Sequence, residues 1–329
     1  MKRMYTLIAI LLVFLGFAYF KENGGLVKQR TPRIGVLTLM HHPALDQIYK
    51  GYVDELAQEG YHNGKNIKIE YQNANGDQSN LKTMASKLVD DNSTVIFGIT
   101  TPAAQAVANS TSRTPIVLGA VTDPRGAGLV KNNHHPGGNI TGVSDQAPIK
   151  EQLGLIKQFM PHLKTLGVIY TSSDASAVAG YHQIVRECKQ QGISLKAYSI
   201  ANSNDLNQVS EQMLSQVDAV IVPTDNTIAG AMQTLVKNAN AAKKPVFPAA
   251  GTMVKQGGVA TYSVNQYDLG IRGAKMTVAV LKGKKPGNMP IEFVHHGEPV
   301  LNLKQAHKLG LKVPHHFEQE AQHEGVIYK

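Results

Sequence analysis

The sequence predicts an α/β protein made of two doubly wound lobes, each a parallel sheet with helices on both faces. Its 329 residues suit two domains of ordinary size. Short apolar runs rich in β-branched residues alternate with stretches of helical periodicity, an order typical of parallel sheets. A stretch containing glycine and proline at residues 132–144 interrupts this alternation, and a second series of the same kind follows. We therefore expect a boundary between lobes near residue 144.

The first series predicts the elements of the first lobe. A buried strand at residues 33–40 is followed by a helix at residues 44–59, whose apolar residues recur on one face. The same alternation then repeats. It predicts strands at residues 66–71, 94–99 and 115–120 and helices at residues 78–90 and 102–110.

The second series predicts the second lobe, and additional elements follow it. Because these elements come after a complete lobe, the chain is expected to cross back to the first one. The predicted lobes are residues 31–143 plus 265–285 and residues 144–264 plus 286–329. The tail is expected to contain further short elements that end near residue 308. The other predictions are helices at residues 149–159, 177–191, 204–215, 227–242 and 267–281 and strands at residues 165–170, 194–200, 219–223, 245–249 and 258–264.

Residues 1–30 predict a membrane anchor, or an uncleaved signal, followed by a stalk. Two basic residues precede an uncharged run from Met4 to Phe20, which has no convincing small-residue cleavage site after it. The positive charges should stay in the cytoplasm, so the body would be tethered at the extracytoplasmic face of the cell membrane. The only cysteine, Cys188, lies in a predicted helix and is expected to be a small buried residue.

Charge and motifs exclude several classes of function. The net charge of +9 is dispersed without a basic cluster, which argues against nucleic acid. No dinucleotide fingerprint, P-loop or nucleophile motif occurs, so neither a cofactor nor an enzyme is predicted. Four pairs of adjacent histidines have no third ligand at a familiar spacing, so no metal site is predicted.

Two segments more than a hundred residues apart are alike. Residues 94–110 and residues 218–234 each run from a strand through a polar turn into a helix, whose first N–H groups are free to bind an anion. The first turn, Thr100 and Thr101, is neutral, whereas the second carries Asp225. Either turn alone can be an ordinary helix cap. Together they offer partners for the carboxylate and the ammonium of an amino acid.

Several segments together resemble the substrate-binding proteins of ABC transporters, within the group that binds tryptophan and other aromatic amino acids. The resemblance covers residues 33–314. It implies a type I periplasmic-binding fold with three crossings between the lobes, near residues 141–145, 262–265 and 284–289. The matching segments are residues 34–46 (IGVLTLMHHPALD), 73–79 (NANGDQS), 100–105 (TTPAAQ), 119–130 (GAVTDPRGAGLV), 138–144 (GNITGVS), 222–229 (VPTDNTIA), 256–260 (QGGVA), 266–270 (QYDLG) and 281–286 (LKGKKP).

The resemblance also implies a set of ligand-binding residues. The charged ends of the amino acid would lie at Thr100, Thr101, Asp225, Asn226 and Thr227. Because the chain has no tryptophan, any stacking side chain must be Phe, Tyr or His, with Tyr170 as a candidate. The pocket for the side chain would draw on Met40, Leu45, Ala120, Thr122, Asp123, Ser144, Tyr170, Ser172, Ser173 and Gly251.

The function implied is delivery of an aromatic amino acid, with tryptophan favoured, to an ABC permease by a monomeric receptor that closes around its ligand. Two alternatives remain open at this point. The same fold could form the ligand-sensing ectodomain of a signalling assembly. It could also bind a sugar or another small solute, although the aromatic content of 6% argues weakly against sugar.

Overall fold

The structure is a computed structural model that describes residues 11–14, 31–294 and 296–329. Residues 11–14 are helical, and the rest of the predicted anchor from Met4 to Phe20 lies outside the described residues. Within the part of the chain that the structure describes, no helix is both long and apolar enough to cross a membrane. Residues Arg33–Lys329 form one compact unit.

The first lobe contains a six-stranded parallel sheet. Its order is β11-β5-β4-β3-β1-β2, and the central strand β3 is buried along its whole length, as expected for a strand covered by helices on both faces. This confirms the α/β class predicted for the lobe. The strands are β1 (Arg33–Thr38), β2 (Lys68–Asn73), β3 (Val95–Ile99), β4 (Ile116–Gly119), β5 (Ile140–Ser144) and β11 (Glu292–Phe293).

Four helices cover this sheet, and two of them approach each other very closely. A β-carbon added at Gly51 in helix α1 would lie 2.1 Å from the carbonyl oxygen of Tyr267, and one added at Gly270 in α10 would lie 2.0 Å from that of Ile48. Since only glycine permits this contact, α10 is locked against the first lobe. The helices are α1 (Pro43–Gln58), α2 (Gln78–Asp90), α3 (Thr101–Ser110) and α10 (Gln266–Leu281).

The second lobe is built around a four-stranded parallel sheet of order β7-β6-β8-β9. The helix predicted at residues 227–242 is in fact two helices, because the backbone leaves helical geometry at Ala231. The strands are β6 (Thr165–Thr171), β7 (Ser194–Ile200), β8 (Ala219–Val222) and β9 (Val246–Pro248). The helices are α4 (Ile149–Phe159), α5 (Ala175–Gln191), α6 (Leu206–Leu214), α7 (Asn226–Gly230), α8 (Met232–Ala241) and α9 (Gly251–Lys255), with 3₁₀ turns at Ser203–Asp205 in this lobe and Pro286–Asn288 in the first.

A small third sheet completes the second lobe. Its strands are β10 (Ala260–Ser263), β12 (Glu298–Asn302) and β13 (Val326–Tyr328), with β12 antiparallel to β10 and parallel to β13. Helices α11 (Leu303–Lys308) and α12 (His315–Glu324) flank it. The regular structure thus extends beyond residue 308, because Phe317 and Ala321 anchor α12 in the core of this lobe.

The chain passes between the lobes at three places. Two of these follow β5 and β10, at residues 145–148 and 264–265. The third follows β11 rather than residues 284–289, because Glu292 and Phe293 pair with Val143 and Ser144 in the first sheet. Residues 286–293 therefore lie with the first lobe, on the other side of the predicted boundary.

Candidate functional site

The carboxyl ends of the parallel strands in the two lobes face each other across a cavity. Loops meet at such edges, which is where ligands bind in open α/β sheets. The cavity contains about 550 Å³ of space that no atom fills, including the part open to solvent. Its lining residues are His42, Ala44, Leu45, Thr100, Ala120, Asp145, Ala147, Ser176, Thr224, Asp225, Asn226, Ala229, Ala249, Ala250, Met253, Val264 and Gln266.

The turn between β3 and α3 supplies a helix N-terminus to the cavity. Thr100 caps α3 by accepting a hydrogen bond from the N–H of Ala103, at 3.5 Å. Its φ of 89° is unusual for a residue with a β-carbon, and such strain is concentrated at functional sites. The adjacent Oγ1 of Thr101 is buried and has no hydrogen-bond partner. This turn therefore retains capacity to bind a polar group.

The turn after β8 supplies Asp225, and that carboxylate is already extensively bonded within its own lobe. Its Oδ2 accepts from the N–H of Thr171 at 2.6 Å, and its Oδ1 accepts from the Thr171 hydroxyl at 3.0 Å and from the N–H of Ile228 at 2.9 Å. Burial, together with the nearby charge of Asp174, raises the pKa of Asp225 to about 7. Asp225 is thus a helix cap, and its side chain also borders the cavity.

A second carboxylate borders the cavity at the first crossing. Asp145 follows β5 directly, and its Oδ1 accepts a hydrogen bond from the Thr122 hydroxyl at 2.9 Å. Its Oδ2 receives none from any other described residue. Burial raises the pKa of Asp145 to about 6. Asp145 lies in a predicted crossing segment and is not among the predicted site residues, although it follows a strand as Thr100 does.

The acidic groups around the cavity have no basic counterpart. Asp145 and Asp225 line it, and Asp174 lies directly behind Asn226, to whose Nδ2 its Oδ2 is hydrogen bonded at 2.8 Å. Among the described residues, none of the three forms a salt bridge. A buried carboxylate without a cation is unfavourable unless a ligand or a proton neutralises it. The cavity therefore favours a positively charged group.

His42, one of the adjacent histidines for which no metal site was predicted, connects the two lobes. Nε2 of His42 lies 3.2 Å from Oδ1 of Asn226, and His42 lines the cavity. Burial lowers the pKa of His42, so the neutral form is favoured. Its Nδ1 is buried and has no hydrogen-bond partner. Within the described residues, no group of three or more His, Cys, Asp or Glu side chains is arranged to hold a metal ion.

Five of the predicted site residues line the cavity: Leu45, Thr100, Ala120, Asp225 and Asn226. Three others lie immediately behind the lining. Thr122 donates to Asp145, Ser144 donates to the carbonyl oxygen of Thr122 at 3.2 Å, and Thr101 follows Thr100. Thr122 and Ser144 support the lining in this way, whereas the hydroxyl of Thr101 has no partner among the described residues and can reach a ligand bound at the turn.

The remaining predicted residues lie outside the lining. Tyr170 stacks on Tyr181 with ring centroids 4.3 Å apart, so the candidate stacking residue is occupied elsewhere. No aromatic ring other than the imidazole of His42 lines the cavity in the described part of the chain. The sulfur of Met40 lies near Gly230 of the opposite lobe. The others are Asp123, which accepts from the N–H of Gly126, Ser172 and Ser173, which donate to the carbonyl oxygens of Ile200 and Ala201, Thr227 in α7, and Gly251, which donates to the Ser263 hydroxyl.

Comparisons with known proteins agree with this geometry. A family model described as ABC transporter substrate binding protein matches residues 33–324. A tyrosine-binding protein of Clostridioides difficile is 35% identical over 281 residues, which are 85% of this chain and 81% of the relative. The predicted type I periplasmic-binding fold is confirmed by solved structures of similar architecture.

Two of the similar solved structures differ in whether they hold a ligand. An ABC domain from Streptococcus pneumonia in complex with L-Trp is 39% identical, with 91% of this chain and 100% of that chain covered and a TM-score of 0.87. A substrate-binding protein with adhesive properties from Clostridium difficile, in a ligand-free open form, is 33% identical, with 91% and 99% covered and a TM-score of 0.70. The overall structure of this chain thus resembles that of the L-Trp complex more than that of the open form.

Proposed function

The chain belongs to the ABC transporter substrate-binding proteins, and from that premise we propose that it binds an aromatic amino acid between its lobes and delivers it to a membrane permease. The observation that carries the proposal is the polarity of the cavity, in which an uncharged helix N-terminus and buried carboxylates occupy different parts of the lining. A zwitterion has a carboxylate that suits the helix N-terminus and an ammonium that suits the buried carboxylates. The L-Trp complex and the tyrosine-binding relative support an aromatic ligand.

The ligand carboxylate would bind at the start of α3. Pro102 has no N–H, and the N–H groups of Ala103 and Ala104 bond to Thr100, so the N–H of Thr101 is the backbone donor left for the anion among the first residues of α3. The start of the helix also carries a partial positive charge. The free hydroxyl of Thr101 adds one further donor at this end. Thr100 and Thr101 would thus retain the role predicted for them, with donors to the anion and no basic side chain.

The ligand ammonium would bind on the acidic side of the cavity, at Asp225. This residue can accept one more hydrogen bond in addition to the three from its own lobe, and Asp174 strengthens the negative potential. Because Asn226 beside Asp225 contacts His42 of the first lobe, the acidic turn comes close to the first lobe in this conformation. Contacts with both lobes would favour closure by binding the closed form preferentially.

The ligand side chain would occupy the apolar part of the lining. Alanines supply much of this surface. Because the alanine side chain is small, it leaves space for the large flat ring of an aromatic ligand. Met253, Leu45 and Val264 provide further apolar contacts. Binding is proposed to be non-covalent and without a chemical step.

The protein is further proposed to act as a monomer at the extracytoplasmic face, tethered by residues Met4 to Phe20. A tether would keep the lobes near the permease without a lipid-bearing cysteine. Cys188 is buried in the second lobe, as predicted, and is not available for that role.

Calorimetry of residues 31–329 against the twenty common amino acids tests the proposal. Tryptophan or tyrosine should bind with an affinity at least tenfold above that of any aliphatic amino acid. Binding to no aromatic amino acid would refute the assignment of the ligand. Cleavage of the tether is a separate question, which mass spectrometry of the membrane-bound protein answers.

A further inference from the structure

Asp145 has properties that binding of a zwitterion at Thr100 and Asp225 does not explain. Its side chain is buried at the edge of the cavity, and one of its two oxygens is bonded to Thr122. The other receives no hydrogen bond from any described residue outside Asp145 itself. A carboxylate oxygen has two acceptor sites, so this oxygen can accept a hydrogen bond from a ligand donor.

The order of strands separates Asp145 from the site proposed for the ligand carboxylate. Asp145 follows β5, Thr100 follows β3, and β4 lies between them. At a spacing of about 4.8 Å between neighbouring strands, the two strand ends are roughly 10 Å apart. Ala120, which follows the intervening β4, lines the cavity. A ligand could therefore extend from the helix N-terminus across Ala120 toward Asp145.

The surroundings of Asp145 suit the ring of such a ligand. Ala147 follows Asp145 in the first crossing, Val264 lies in the second, and Ala249 follows β9; all three are apolar and line the cavity. Among the described lining residues in the crossings, Asp145 is the only acidic one, whereas Asp225 follows β8. An aromatic side chain there would meet apolar surface over its faces and one carboxylate at its edge.

We propose that Asp145 selects the ligand by accepting a hydrogen bond from an N–H or O–H group on the edge of the aromatic ring. The inference rests on the proposed function and deepens it. Tryptophan has an indole N–H and tyrosine has a phenol O–H, whereas phenylalanine has neither. A site that must satisfy a buried polar group rejects a ligand that lacks the matching group.

The test measures the affinities of tryptophan, tyrosine and phenylalanine for the full chain by calorimetry. A hydrogen bond to a charged acceptor predicts that the best donor-bearing ligand binds roughly 10- to 100-fold more tightly than phenylalanine. In Asp145→Leu this preference should fall below about threefold, with the affinity for phenylalanine unchanged or raised. N1-methyltryptophan and O-methyltyrosine identify which donor is used, since only the methylated form of the true donor loses affinity.

Two results would overturn the inference. If Asp145→Leu lowers the affinity for all three amino acids by the same factor, Asp145 contacts the ammonium or only supports the fold. If the unaltered protein binds the three with equal affinity, no ring donor is recognised. Asp205→Asn, at a carboxylate of the second lobe outside the cavity lining, is the control and should change none of the affinities. If the unaltered protein binds none of the aromatic amino acids, the proposed function itself is refuted.

Discussion

Nε2 of His42 and Oδ1 of Asn226 lie 3.2 Å apart, and the two residues come from opposite lobes. The amide of Asn226 has only one orientation that satisfies its neighbours, because its Nδ2 donates to Asp174 at 2.8 Å and to the Ser176 hydroxyl at 3.3 Å. Oδ1 is then the acceptor, so Nε2 of His42 carries the proton. A neutral histidine therefore ties the first lobe to a polar network fixed within the second.

Replacing His42 by alanine should weaken ligand binding by roughly three- to tenfold, because one net hydrogen bond of the closed form is lost. Calorimetry gives the affinity, and small-angle scattering shows whether the liganded protein becomes less compact. His41→Ala is the matched control. That neighbouring histidine is exposed and pairs with Asp46 on its own lobe. Equal effects of the two substitutions would contradict a specific contact between the lobes.

Replacing Asp225 by alanine should weaken ligand binding by at least tenfold if Asp225 contacts the ammonium. The substitution should also lower the free energy of unfolding by about 1 kcal/mol, because Asp225 caps α7. Asp218→Asn separates the two effects. Asp218 accepts from the N–H groups of Lys164 and Thr165 at the opposite end of β8, away from the cavity. The Asp218 variant should be less stable but should bind the ligand with unchanged affinity. If the affinity of the Asp225 variant is also unchanged, Asp225 serves only as a helix cap.

Asp145 and Asp225 should contribute less to the stability of the unliganded protein as pH rises from about 4 to above 7, whereas buried His42, whose pKa is lowered, acts in the opposite direction. Burial raises the pKa of Asp145 to about 6 and that of Asp225 to about 7, both above the ordinary value of 3.8. The folded state then binds protons more tightly than the unfolded state. Its advantage is complete below pH 3.8 and is lost as pH passes through the folded pKa values, with a loss on the order of a few kcal/mol.

Chemical denaturation at several pH values measures this loss, and substitutions assign it. Asp145→Asn should flatten the profile near pH 6 and Asp225→Asn near pH 7. Asp174 faces both groups and is retained in these variants. A steep profile that persists in the double variant would place the titrating groups elsewhere.

The sequence predicted the order of strands and helices because the apolar periodicity of buried parallel strands is a local signal. It also led to Thr100 and Asp225, since both follow a strand and begin a helix. Their proximity to a common cavity depends on how the lobes close, which no local pattern records. Asp145 also follows a strand, but it was assigned to a crossing between the lobes and was not predicted to line the cavity.

The stacking role predicted for Tyr170 rests on residue type rather than on position, since the chain lacks tryptophan. Tyr170 lies in β6, where successive side chains point to opposite faces, and it packs on Tyr181 of α5. The alanine-rich lining was equally hidden, since alanine is common in helices and loops of any function.

The buried hydroxyl of Thr101 predicts that stability and binding should respond in opposite directions. Thr101→Val keeps the shape and removes an unpaired polar group, so the unliganded protein should unfold with equal or about 1 kcal/mol greater free energy. Ligand affinity should fall about tenfold, because the carboxylate loses a donor. Thr277→Val is the matched control. The Thr277 hydroxyl accepts from Tyr52 at 2.9 Å, far from the cavity, so its loss should cost stability and leave affinity unchanged. If Thr101→Val destabilises the protein as Thr277→Val does, the Thr101 hydroxyl has a structural partner and is not held free for a ligand.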